Sequence, residues 1–388
     1  MTERLPEAEW TQRAELAELI AALGNDNARY VGGAVRDTLL GLAVKDIDLA
    51  TTLLPQAVME RLNTAGIRAV PTGIDHGTVT AVLHGGPVEI TTLRHDVSTD
   101  GRRATVAFAE DWREDAARRD FTINALYADP ATGEIFDYFG GLTDLAARRV
   151  RFIGNARQRI REDHLRILRY FRFQARFGSE PVDAESEEAC AELAATLKGL
   201  SRERIGMEFL NLLSLTDPAP TIARMKELGV LEVILPKADV EALIRLVGEE
   251  QHQGAAPDPI RHLAALLPPE PWVAEQVAAR FRLSGAQKKR LVQAAERVSG
   301  PKDAHALAYH LGMQEAMDWL LLEGGEIAPL IGWDIPVFPL KGGAIVARGV
   351  TAGPEVARIL LMIEAHWVHE GFPGPERVQE LLDEALHQ

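Results

Sequence analysis

The chain changes texture part-way along, and that change limits the folds open to it. Up to about residue 150, short runs of alternating apolar and polar residues are separated by glycine-rich turns, the pattern of strands that bury one face. The runs "TVTAVLH" and "VEITTLR" flank "GGP" at 85–87, which predicts a hairpin. Beyond residue 150 apolar residues recur at helical spacing, with breaks at "DPAP" (217–220), "GAAPDP" (254–259) and "LPPEP" (267–271). The expected fold class is α+β, a small mixed-sheet head followed by an all-helical remainder. At 388 residues, 46% of them hydrophobic, the chain can bury a sizeable core and by length divides into two or three domains.

A net charge of −15 argues against a polyanionic partner only if the acidity is spread evenly, and it is not. Ten arginines fall between Arg148 and Arg176, against Glu162 and Asp163 alone. A second basic cluster, Arg280, Arg282, Lys288, Lys289, Arg290 and Arg297, faces only Glu296, whereas residues 301–388 carry five basic and thirteen acidic residues. Nucleic acid therefore stays open as a partner. The single cysteine, Cys190 in "DAESEEACAEL", excludes a disulfide framework and reads as a buried helix residue in a protein of the reducing cytosol. Near the N-terminus Trp10, Ala14, Ala17, Ile20 and Leu23 recur at helical spacing before a stop at Gly24. This reads as a soluble amphipathic helix, neither signal peptide nor membrane span, so a cytoplasmic location and no membrane partner are expected.

The chemistry concentrates in "RYVGGAVRDTLLGLAVKDIDLATT" (29–52). On a strand, Asp46 and Asp48 share one face while Ile47 and Leu49 pack on the other. Two carboxylates so close repel each other unless a cation lies between them, and oxygen ligands without His or Cys favour Mg²⁺. Taken alone, D-x-D is also common on exposed strands. Upstream, Gly32 and Gly33 precede a short helix whose N-terminal amides suit phosphate oxygens, and Arg36 in its first turn can add a forked contact. Together these features describe a nucleoside triphosphate with its metals.

"VGGAVRDTLLG…KDIDLAT" resembles the signature of the nucleotidyltransferase superfamily, in the class II branch shared by bacterial CCA-adding tRNA nucleotidyltransferases and bacterial poly(A) polymerases. Further motifs follow in that branch's order: "GIDHGTVTAVL", "VEITTLR", "RRDFTINALY" (118–127), "FGGLTDL" (139–145), "REDHLRILRYFRF" (161–173) and "SRERIGMEF" (201–209). The resemblance is close over 29–213, with a weaker echo of the CCA-adding tail at 340–367. It implies a catalytic head at 1–147, a helical neck carrying a nucleobase template at 148–213, and a tRNA-binding body and tail at 214–388. It also implies transfer of a nucleotidyl group from CTP or ATP to the tRNA 3′ end, with Asp46 and Asp48 bridging Mg²⁺ ions and pyrophosphate leaving. Glu89, alternating with Val88 and Ile90, is a candidate third carboxylate, with a surface glutamate as the alternative.

In "RRDFTINAL" Phe121, Ile123 and Leu126 read as core, while Arg119 and Asp120 resemble the family's pair near ribose and triphosphate, with Asn124 in support. Helical periodicity over 158–177 puts Ile160, Ile167, Leu168, Phe171 and Ala175 on one face and Asp163, Arg166, Arg169 and Arg172 in an i+3 stripe. A solvated face with an Asp163–Arg166 ion pair is one reading of the stripe. The resemblance implies the other: Asp163 accepts from the exocyclic amine of cytosine or adenine and Arg166 donates to the adjacent ring nitrogen. "TGIDHGTVT" and the absence of a long basic C-terminal extension favour CCA addition over polyadenylation. The stretch 96–117 resembles the flexible loop that CCA enzymes use when switching from C to A, which argues against CC-only addition; polyadenylation and partial (A-adding or CC-adding) activity are the alternatives. An inactive RNA-binding or nucleotide-sensing protein is the alternative of another class. "RFRLSGAQKKR" supplies Lys288, Lys289 and Arg290 as candidate RNA phosphate contacts.

Overall fold

The computed structural model of the protein describes residues 3–100, 103–109, 111–297 and 303–387. Two compact units are present, Met1–Leu212 with Thr221–Pro236, and Leu213–Pro220 with Lys237–Gln388.

The first unit is built on strands β1 (Ala28–Val31), β2 (Ile47–Thr51), β3 (Ala69–Gly73), β4 (Thr78–Leu83), β5 (Gly86–Thr92), β6 (Arg94–Asp100), β7 (Arg103–Phe108), β8 (Leu126–Ala128) and β9 (Ile135–Asp137). Seven of them form one sheet in the order β3-β4-β5-β2-β1-β8-β9. Its pairs are antiparallel except β2 with β5, whose parallel register sets Asp48 against Glu89. The hairpin expected across "GGP" is β4–β5. Of the stretch 96–117 that resembles a flexible loop, 96–100 and 103–108 belong to the antiparallel hairpin β6–β7 and 112–117 to a helix. Residues 101, 102 and 110 of that stretch lie outside the described residues.

Helices of this unit are α1 (Ala14–Leu23), α2 (Gly33–Leu39), α3 (Pro55–Thr64), α4 (Trp112–Ala117), α5 (Gly141–Ala146), α6 (Ala156–Glu162), α7 (Arg166–Phe177), α8 (Ala184–Leu193) and α9 (Arg202–Leu213), then α10 (Ala219–Glu227) and α11 (Val230–Ile234). Gly24 does end α1, at a φ of +88°, but the buried stripe is Leu16, Leu19, Ile20 and Leu23, while Ala14 and Ala17 face out. The larger side chains take the interior. Gly141 shows why "FGG" carries glycine: a Cβ there would fall 2.3 Å from the Thr122 carbonyl oxygen. Its absence lets α5 pack on the turn that holds Asn124. Phe121, Phe152, Tyr170, Phe171 and Phe177 are fully buried, as is Cys190, whose thiol is raised well above its ordinary value by burial.

The continuous helix expected over 158–177 is broken. Asp163 ends α6 in extended backbone (φ −150°, ψ 107°), and its carboxylate accepts the Leu165 amide at 3.1 Å as α7 begins. Aspartate competes for local amides in this way, which interrupts a ladder that the apolar spacing alone would continue.

The second unit is helical, with α12 (Val240–Gln253), α13 (Pro259–Ala265), α14 (Pro271–Arg280), α15 (Gly285–Ala295), α16 (Ala304–Leu311), α17 (Met313–Glu323), α18 (Gly342–Ala347), α19 (Pro354–His369) and α20 (Pro375–Leu386). Its interior carries a polar network. Arg261 binds Glu250 and Asp318, and His262, fully buried, sits between Glu250 and the Leu213 carbonyl. Arg290 donates to both Asp318 oxygens (2.6 and 2.8 Å) and to Asp258 (2.8 Å). Arg290 is thus a structural residue and not the RNA phosphate contact expected, because its fork is spent inside the fold. Among the described residues no helix is long and apolar enough to cross a membrane.

Candidate active site

In the first unit a cavity of about 660 Å³ is lined by Gly32, Gly33, Arg36, Asp46, Asp48, Arg118, Arg119, Asp120, Asn124, Asp163, Leu165, Arg166, Arg169, Arg172, Phe173 and Arg204. Apart from Glu89, the structure therefore brings every residue expected of the head and neck site to one cavity. Seven arginines against four aspartates give its wall a positive surplus, which suits a polyphosphate.

β2 ends the search for the carboxylates. Asp48 is half-buried just inside the strand, and Asp46 is exposed one residue before it. Burial, then the neighbouring Glu89 and Asp46 charges, push the Asp48 carboxyl up to about 6, with Arg119 opposing. A carboxylate this reluctant to ionise, in a set of oxygens without His or Cys, fits a hard divalent cation. Glu89 is not on the cavity wall, but β5 sets it beside Asp48.

β1 runs into α2 through Gly32, whose φ of +70° suits glycine and lays its backbone beside Arg119. Arg36, one turn on, is buried over the Phe177 ring, 4.0 Å from its centroid. Its guanidinium donates to Asp37 and to the Asn124 side-chain oxygen Oδ1. Asn124 in turn donates to Asp120 Oδ1 at 3.0 Å, and Arg169 donates to Asp120 Oδ2 through Nε (2.8 Å) and Nη2 (2.5 Å). Burial alone would raise Asp120, but Arg169, Asn124 and the Phe121 amide hold its carboxyl down at about 2. Arg36, Asn124 and Asp120 therefore form one relay that fixes Arg169 at the wall. Asp120 is more a holder of that arginine than a free acceptor.

Asp163 does not pair with Arg166. Its Oδ2 accepts from Arg204 of α9 at 2.7 Å, while Arg166 Nη1 donates to Glu162 (2.8 Å) and to the Arg159 carbonyl (2.7 Å). Arg166 Nη2 lies 3.3 Å from the Arg118 carbonyl. One turn further along α9, Glu208 accepts from Arg172 at 2.5 Å. The break between α6 and α7 thus replaces the one-helix stripe with a wall held from a second helix.

Residues 28–151 match the family model described as "Poly A polymerase head domain", and 181–241 match "Probable RNA and SrmB- binding site of polymerase A". Over 92% of its length the chain is 37% identical to CCA tRNA nucleotidyltransferase 1, mitochondrial, of Mus musculus, spanning 86% of that protein. It is 31% identical to a CCA-adding enzyme of Leuconostoc mesenteroides, over 87% of each chain. The chain belongs to the CCA-adding tRNA nucleotidyltransferases. Its fold agrees with the crystal structure of the Bacillus stearothermophilus CCA-adding enzyme in complex with CTP, at TM-score 0.71 and 24% identity over 96% of this chain and 98% of that one. It also agrees with the Thermotoga maritima CCA-adding enzyme complexed with tRNA, at TM-score 0.69 and 22% identity over 96% and 94%.

Four lining residues escape a reading of the sequence alone: Arg118, Leu165, Phe173 and Arg204. Arg118 stood in "RRDF" beside Arg119, so the doubled arginine was its signal. Phe173 falls on the apolar periodicity of α7, yet Arg36, Arg169 and Arg172 lie over its ring at 4.8–5.4 Å. No local pattern marks it. Arg204 stood in "SRERIGMEF", with nothing in the spacing to name Asp163 as its partner.

Proposed function

We propose that this protein adds the 3′-terminal CCA to tRNA from CTP and ATP, without a nucleic-acid template and with release of pyrophosphate. One observation carries the reading: a single arginine-rich cavity is lined by the Asp46 and Asp48 carboxylates and by the Asp163 and Arg166 side chains. The RNA 3′ hydroxyl attacks the α-phosphate in line, and the bond to pyrophosphate breaks. Nucleotidyltransferases of this family use a divalent metal. When bound, that cation, which we take to be Mg²⁺, would be held by Asp46 and Asp48, with Glu89 beside Asp48 on β5 adding negative charge, and would supply Lewis-acid activation and charge neutralisation.

Arg118, Arg119 and Arg169 neutralise the triphosphate, and the Gly32–Gly33 backbone lets it approach closely. Asp163 retains acceptor capacity beyond its contacts to Arg204 and Leu165, because each carboxylate oxygen has two lone pairs. It accepts from the amine of cytosine or adenine. Arg166 has five N–H groups, of which three are spent on Glu162 and the Arg159 and Arg118 carbonyls, so it can still donate to the ring. Uracil and guanine present a carbonyl oxygen to Asp163, two acceptors facing each other, and are rejected. In this reading residues 1–147 are the catalytic head, 148–213 the neck and 214–388 the tRNA-binding body and tail. Lys289, exposed on α15, and Lys288, partly engaged by Glu275 at 3.3 Å, are the remaining phosphate contacts of the basic cluster.

The test is a tRNA transcript lacking its last three nucleotides, incubated with the protein, Mg²⁺, and CTP and ATP singly and together. Addition of C, C and A followed by a stop is expected. Long A tails from ATP alone would make it a poly(A) polymerase, partial addition a CC- or A-adding enzyme, and no extension an RNA-binding or nucleotide-sensing protein.

A further inference from the structure

Asp115 on α4 is not among the residues lining the cavity, yet it is the common anchor of two that are. Its side chain is 1% exposed. Oδ1 accepts from Arg118 Nε at 2.8 Å and from the Arg94 amide at 3.4 Å, and Oδ2 accepts from the Tyr127 hydroxyl at 2.6 Å and Arg119 Nη2 at 3.2 Å. Arg119 Nε donates to the same Tyr127 oxygen at 3.1 Å, which closes a ring of Asp115, Tyr127 and Arg119.

Two features make this more than packing. Asp115 is followed in α4 by Ala116, which sits with Leu93, Ala109 and Tyr127 in one apolar cluster. A buried carboxylate in such surroundings is costlier than an aliphatic side chain of similar size, so its gain must lie in what it orients. Arg118 caps α4 and Arg119 lies beyond its end, so helix geometry does not set where either side chain points, and Asp115 accepts from both. Their backbone is held independently, since Arg159 donates to the Arg119 carbonyl at 2.7 Å and Arg166 reaches the Arg118 carbonyl. At Arg118 and Arg119 Asp115 therefore holds the side chains, its one backbone contact being the Arg94 amide.

We infer that Asp115 is a positioning residue that aims Arg118 and Arg119 at the triphosphate; this rests on the nucleotide reading of the cavity. The carboxylate takes one unit of charge from two guanidiniums and leaves the second unit facing the cavity. Because Asp163 and Arg166 read the base elsewhere on the wall, losing Asp115 should weaken CTP and ATP alike and leave the choice among bases unchanged.

A double-mutant cycle on Mg²⁺–CTP affinity, by titration calorimetry on the full chain, decides the matter. Asp115→Asn should weaken CTP about tenfold in the wild-type background and less than about twofold in Arg118→Met/Arg119→Met protein, the non-additivity expected of groups acting through one another. Tyr127→Phe, which keeps the carboxylate and the fold, should show the same pattern at smaller amplitude and serves if Asp115→Asn does not fold. Equal losses in both backgrounds, no loss in the first, or a changed CTP to UTP ratio would overturn the inference. Calorimetry needs no turnover, so a wild type that binds CTP but does not extend tRNA would refute CCA addition and leave this cycle decisive. A wild type that binds no CTP would refute the inference itself.

Discussion

Two stretches of this chain, 148–176 and 280–297, look alike in composition and are used differently by the fold. In the first, Arg166, Arg169 and Arg172 each have one carboxylate partner, Glu162, Asp120 and Glu208, and still reach the cavity wall. In the second, Arg290 is spent on Asp258 and Asp318, Arg297 on Glu323, and Lys288 leans on Glu275. The density of basic residues is the same kind of signal in both. What separates them is where the donors face. Seven arginines line the cavity, and the carboxylates Asp37, Asp115, Glu162 and Glu208 that hold five of them are not on its wall, whereas Arg261, Arg290 and His262 meet Glu250, Asp258 and Asp318 within the fold. A concave wall that presents arginines holds an anion, and a network closed on itself holds a fold.

The comparison breaks outright if the cavity is not where chemistry happens. Asp48→Asn should lower nucleotide addition about a thousandfold or more, because a neutral amide cannot hold the cation that the reaction needs. The fold should not suffer. An acid whose folded value is raised to about 6 is ionised above that pH at a cost to the folded state, and Asn removes the cost. In chelator at pH 8 the melting temperature of Asp48→Asn should therefore equal or exceed that of the wild type. Retention of more than a few per cent of activity would detach the carboxylate pair from the reaction.

The second stretch is tested by Arg290→Ala. Removing Arg290 takes the arginine partner from Asp258 and leaves Asp318 with Arg261 alone, and should cost about 3 kcal/mol in urea denaturation. On the folded fraction, kcat/KM for CTP should stay within about twofold of the wild type, since the side chain belongs to the other unit's interior. A stable Arg290→Ala protein with weakened tRNA binding would restore the phosphate-contact role and erase the contrast.

That contrast was only half legible in the sequence. Period-two alternation placed Asp46 and Asp48 together, and "GGP" located the β4–β5 turn, because strands and tight turns are specified by neighbours. The glycine pair came from its place at a helix N-terminus, Arg119, Asp120 and Asn124 came from motif resemblance, and all reach the cavity. Helical periodicity ran straight through Asp163, since the residues on either side keep apolar spacing and only the Asp163–Leu165 contact breaks the ladder. Ion-pair partners were beyond reach for a different reason. Arg204 lies 41 residues from Asp163, and Asp318 lies 28 from Arg290, so no window of local sequence contains both. Charge can be counted along a chain, but which carboxylate neutralises which arginine is decided by tertiary packing.

Asp163→Ala separates the two uses of charge within the cavity. If the carboxylate reads the base amine, its loss should cost about 1 to 3 kcal/mol, roughly five- to 150-fold in kcat/KM for CTP and ATP, and erode their advantage over UTP. If it serves only to hold Arg204, all nucleotides should fall equally and the melting temperature should drop. The ratio of CTP to UTP use, with circular dichroism as the folding control, is the observable. An unchanged ratio would return Asp163 to the class of Arg290, a charge that holds the fold.

The smallest effect is expected at Lys289, and it probes how completely the second stretch is structural. Lys289 is exposed on α15, between Lys288, which Glu275 engages, and Arg290, which the interior consumes. If it touches one RNA phosphate, Lys289→Ala should weaken tRNA binding only about threefold at moderate salt, and reduce the slope of log affinity against log salt by about 0.7 to 0.9. The slope is the better readout, because a modest affinity loss could come from a shifted helix whereas a lost counterion-releasing contact must change the salt dependence. Nitrocellulose binding at four or five salt concentrations would resolve it. An unchanged slope would make Lys289 an ordinary solvated lysine, and the chain's nucleic-acid contact in this stretch would then rest on shape and backbone, as folded RNA permits.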